Sequence, residues 1–147
     1  MQLRAPSMWT ACVGVASVCA MLPLASPVVA GITRATDHAT SAFLAQRDGD
    51  YASCAKHADK ARRQTGANYT LHRLYAACTV NAADEARKDI GDTAYADRLT
   101  EAVDALQLLR STPGAYHQPK ADNVINLTIK DLEARIISAR KSANPTN

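Results

Sequence analysis

The sequence predicts an all-α fold: a small, irregular helical bundle of about five helices. Three observations carry that expectation. Glycine and proline are scarce between Thr36 and Thr112, and alanine supplies much of the helix propensity there. Apolar residues recur three and four positions apart, and no stretch shows a sustained alternation of β-branched residues. Finally, Gly49 to Val80 reads as two helical arms around a turn at Gln64-Thr65-Gly66-Ala67-Asn68, with Cys54 and Cys78 at matching heights on the two arms.

The first thirty residues read as a secretory signal peptide. Arg4 is the only charge before Arg34, Met8 to Leu22 is an apolar run of h-region length, and Val28-Val29-Ala30 places small or medium residues before a cleavage site that starts the mature chain at Gly31. That leaves 117 residues, enough for one domain with a modest core, expected over 31–141 and followed by a disordered tail over 142–147. The mature charge is +2 with signs interspersed, which argues against a nucleic-acid partner, and no membrane association is expected after cleavage.

Within that domain the elements follow in order. A first helix is expected over 36–47, with Phe43 as its main anchor, ended by Asp48-Gly49-Asp50. The second, over 51–63, presents Tyr51, Cys54, Ala55, Ala58 and Ala61 as one stripe. Asn68 caps a third helix carrying Leu71, Leu74, Tyr75 and Cys78 on one face. Gly91-Asp92-Thr93 reads as a break before a fourth helix over 94–110, with Tyr95, Leu99, Val103, Leu106 and Leu109 inward. Pro113-Gly114 stops it, and Ala115 to Lys120 forms a loop holding Tyr116 and His117. A fifth helix over 122–141 repeats Ile125, Ile129, Leu132 and Ile136, with Val124 and Ile137 widening the face.

A fold-back that pairs positions summing to about 132 sets Cys54 beside Cys78, Ala58 beside Leu74 and Ala61 beside Leu71, small residues against large ones. In an oxidising compartment the two cysteines are expected to form a disulfide. By chain entropy a loop of this size contributes roughly 3 kcal/mol.

The stretch from Ala42 to Gly66 resembles one tetratricopeptide repeat. Ala42 occupies the small position of the first helix, Gly49-Asp50-Tyr51 matches the turn, Cys54 stands at an alanine position, Ala61 fits the later alanine, and Tyr75-Ala76 recurs one repeat on. The resemblance implies a short tetratricopeptide-like array that binds a protein or peptide in a concave groove, and it brings no catalytic residues.

Motifs for chemistry are missing from the sequence. His38, His57, His72 and His117 show no metal-binding spacing, with His57 expected at the surface. Asp48-Gly49-Asp50 fails as a calcium loop, because Ala52 and Ser53 replace a ligand and the glycine. No Gly-x-Ser-x-Gly or Gly-rich phosphate loop occurs. The expectation is an exported, periplasmic or secreted bacterial protein without catalysis or cofactor, which binds a protein or peptide as an adaptor, chaperone-like factor or inhibitor. Lys56, Lys60, Arg63, Tyr116 and His117 are the candidate contacts, with the basic cluster including Arg62 on the outer face of the second helix. The alternative is a helical bundle that holds a small ligand, haem or metal through His57 or His72.

Overall fold

The computed structural model describes residues 27–112 and 119–144. Among the described residues there are four helical elements and no strand: α1 (Pro27–Arg47), α2 (Tyr51–Thr65), α3 (Tyr69–Ser111) and α4 (Pro119–Ala143). The signal-peptide expectation lies mostly outside them, and so does the Tyr116-His117 loop. No described helix is long and apolar enough to cross a membrane.

Helix is present earlier than predicted: α1 already includes Pro27 and α4 already includes Pro119, each at the edge of the described residues. The α2 and α3 starts are capped as the sequence indicates: Asp50 accepts from the Ser53 N–H at 3.0 Å, and Asn68 from the Leu71 N–H at 3.1 Å.

Four elements stand where five were expected because α3 is two helices joined directly across a kink at Gly91, the predicted break, with no loop between them. Gly91 inside it has φ 77 and ψ 167, a region essentially restricted to glycine. The helix doubles back there. Tyr75 Oη lies 3.5 Å from Glu101 Oε2, 26 residues away, whereas a straight helix would separate residues at that spacing by about 39 Å. The two arms of α3, residues 69–90 and 92–111, therefore form an antiparallel pair.

Packing is serial. α1 lies on α2, α2 on α3 and α3 on α4, while α1 touches α3 only slightly and α4 packs on neither α1 nor α2. One core joins Ala42, Cys54, Ala58, Leu74, Tyr75, Cys78 and Ala105; the other joins both arms of α3 to Ile125, Ile129, Leu132, Ile136 and Ala139 of α4. The α3 hairpin belongs to both. Cys54 and Cys78 form a disulfide with Cα atoms 5.8 Å apart, in the fold-back register read from the sequence.

Three apolar expectations are corrected. Phe43 is 45% exposed, and the anchor of α1 is Ala42, fully buried against the small residues of α2. Close approach of Ala42 to Cys54 and Ala58 leaves no room for a large side chain at the seam, and Phe43 stands about 100° further round the helix. Val124 and Ile137 are also exposed rather than widening the α4 face, because α4 has α3 as its single neighbour.

Candidate functional site

Three helical segments line one groove of about 800 Å³: α2, the first arm of α3, and the second arm. The serial packing explains how it forms. Both α2 and the second arm run antiparallel to the first arm, so they stand as two walls along it.

Small residues make the groove deep. Ala52 and Ala55 stand on α2, Ala82, Ala83 and Ala86 on the first arm, and Ala105 on the second; Ile90 and Leu108 are exposed apolar residues of the same lining. The polar part is mixed in sign. Arg62 pairs with Asp59 at 2.5 Å, and Arg63 Nε donates to the other Asp59 oxygen at 2.7 Å. The Arg62 guanidinium also sits 4.2 Å over the Tyr75 ring, a cation–π contact. Across the groove Arg98 pairs with Glu101 at 3.3 Å. Lys56 and Asp104 complete the charged lining.

Two buried polar atoms here lack a partner. Thr79 is 5% exposed and its Oγ1 makes no hydrogen bond, and neither does the buried Arg62 Nε. Buried polar groups are nearly always paired, and leaving one unpaired costs about 1–3 kcal/mol. Both residues line the groove.

The candidate contacts divide. Lys56 and Arg63 line the groove, whereas Lys60 is exposed outside the lining, and Tyr116 and His117 fall outside the described residues. Arg62, expected on the solvated face, has a half-buried side chain against Tyr75. Tyr75, Thr79 and Glu101 were not singled out as contacts by the sequence. Thr79 lies four residues after Tyr75 and so shares its face, but only the return of the second arm makes that face a groove wall.

The histidines do not converge on the groove. His57, expected to face outward, instead meets His38 of α1, with their Nδ1 atoms 3.3 Å apart. Burial pushes its pKa down, helped by His38 and by Lys60 and Lys56. His72 is buried, with Nδ1 3.0 Å from the Asn68 carbonyl as donor; burial pushes its pKa down too, against the opposing effect of that hydrogen bond. Asp50 is held below the ordinary carboxylate range by its hydrogen bonds with Ser53. Among the described residues no three histidine, cysteine, aspartate or glutamate side chains gather as a metal-binding group. The chain matches no protein-family model, no curated protein and no solved structure.

Proposed function

We propose that this protein is an exported binding domain that holds a helical segment of a partner protein in the groove between α2 and the two arms of α3. The observation that carries the reading is the groove itself, with its alanine-rich lining between two helical walls. Alanines permit a partner helix to approach closely, with its larger apolar side chains filling the space above them. From Tyr75 to Ile90 the first arm spans about 22 Å, so the occupant is an amphipathic helix of roughly four turns. The charges of both signs along the walls suit an occupant with charges on both flanks.

The serial packing of α1 to α4 supports the tetratricopeptide-like reading, because repeat arrays stack each unit on its sequence neighbours. Export is supported by the Cys54–Cys78 disulfide and the apolar run from Met8 to Leu22. The reading is of binding without catalysis.

The test places a photo-reactive phenylalanine analogue at Ala86 in the groove, or at Lys60 outside it, in the full chain expressed in its own host. A discrete protein adduct is expected from position 86 alone. The crosslinked segment, made as a labelled peptide, should bind the unmodified protein and lose at least tenfold in affinity to Ala86→Arg. Equal adducts from both positions, or a peptide indifferent to Ala86→Arg, would remove the groove as the site.

A further inference from the structure

The seam between α1 and α2 carries a feature that the groove does not use. His38 and His57 meet there with Nδ1 atoms 3.3 Å apart, ring centroids 5.5 Å apart and ring planes inclined at 40°. Two imidazole nitrogens at this separation have two ways to be satisfied: one donates a proton to the other, or both lone pairs turn to one cation. Zinc binds histidine nitrogen at about 2.0–2.1 Å in a tetrahedral arrangement, which separates two such nitrogens by about 3.3 Å. We propose that His38 and His57 form a two-histidine site for a divalent late transition-metal ion, zinc above all, that clasps α1 to α2.

The charges nearby make the site a weak one: Lys60 and Lys56 act on His57 against a cation, and Asp50 acts more weakly in its favour. The neutral imidazole is the ligating form, and the 3.3 Å between the two Nδ1 atoms is the spacing that two ligands of one tetrahedral zinc ion take. With no third protein ligand among the described residues, water fills the remaining positions. Of the described helices α1 has only α2 as a substantial neighbour, so an ion here adds to the one junction that holds α1. The inference is independent of what occupies the groove.

The experiment is zinc titration of the untagged, oxidised protein by calorimetry, with cobalt(II) as a visible probe of tetrahedral coordination. One equivalent of zinc should bind, with a rise in thermal midpoint. His38→Ala and His57→Ala, each checked for unchanged helicity, should weaken binding at least ~10-fold, since even outer-shell changes at metal sites cost that much. Lys60→Ala, beside the site, should bind zinc at least as well. No zinc binding by the unaltered protein, or full affinity in either histidine variant, would overturn the proposal and leave the pair as an N–H···N hydrogen bond.

Discussion

Tyr95 donates its phenolic proton to Asp84 across 2.8 Å, joining the two arms of α3 on either side of Gly91. Arg135 of α4 reaches both residues, and the Arg87 guanidinium lies 4.5 Å over the Tyr95 ring. One buried tyrosine thus ties the hairpin to itself and to α4. Tyr95→Phe removes the hydroxyl and keeps the ring, and should cost about 1.5 kcal/mol, the loss of a hydrogen bond to a charged group. Urea unfolding of the two proteins measures it.

Gly91→Ala meets no atom within 4 Å, so its cost is torsional. Alanine at φ 77, ψ 167 is strained by about 1–3 kcal/mol, and it also favours the straight helix that would pull the arms apart. The expected result is a lowered unfolding midpoint with helical content retained by circular dichroism. An unchanged midpoint would show that the fold-back does not depend on this residue.

Reducing Cys54–Cys78 releases a loop closed over a sequence separation of 24. The chain-entropy estimate gives a loss of roughly 3 kcal/mol. The bond joins α2 to the first arm of α3, a wall and the neighbouring surface of the groove, so the double variant Cys54→Ala/Cys78→Ala should lose peptide binding along with stability. Chemical denaturation with and without reductant reads the first effect.

His72 sets a pH dependence whose direction follows from its burial. Its folded-state pKa lies below the unfolded value of about 6.5, so the unfolded chain binds the proton more readily. Its stability contribution is fully present above that value and is lost as pH falls through 6.5 towards the lowered folded pKa. The denaturation midpoint should therefore drop between pH 7.5 and pH 5, and His72→Gln should flatten that slope. Asp50, also depressed, adds a separate loss at lower pH, below the ordinary aspartate value of about 3.9.

Charge reversal separates the groove from the outer face of α2. Arg63→Glu and Lys56→Glu alter the groove wall and should weaken partner binding about tenfold, whereas Lys60→Glu, one turn from Lys56 but outside the lining, should change it little. All three positions are exposed, so stability should shift by no more than about 0.5 kcal/mol. Fluorescence anisotropy with the groove peptide gives the comparison.

Local chemistry made much of the chain legible. The α2 stripe, the Asp50 and Asn68 caps and the conformational break at Gly91 follow from periodicity and from what each backbone position tolerates. The register of Cys54 against Cys78 follows from the length of two helical arms around one turn.

The sequence by itself determined an all-helical chain, the α2–α3 junction and the disulfide partners, because these depend on interactions within about two helical turns or on one short loop. The tertiary structure alone decided that Phe43 is exposed and Ala42 buried, that Arg62 lies over Tyr75, that His38 meets His57, and that Thr79 lines a groove. Each of these depends on which side of a helix the next element covers. A helical pattern states that a face is apolar or small; the angle at which a neighbour arrives, set here by the fold-back at Gly91 and by alanine-lined close approach, decides whether that face becomes core, seam or groove.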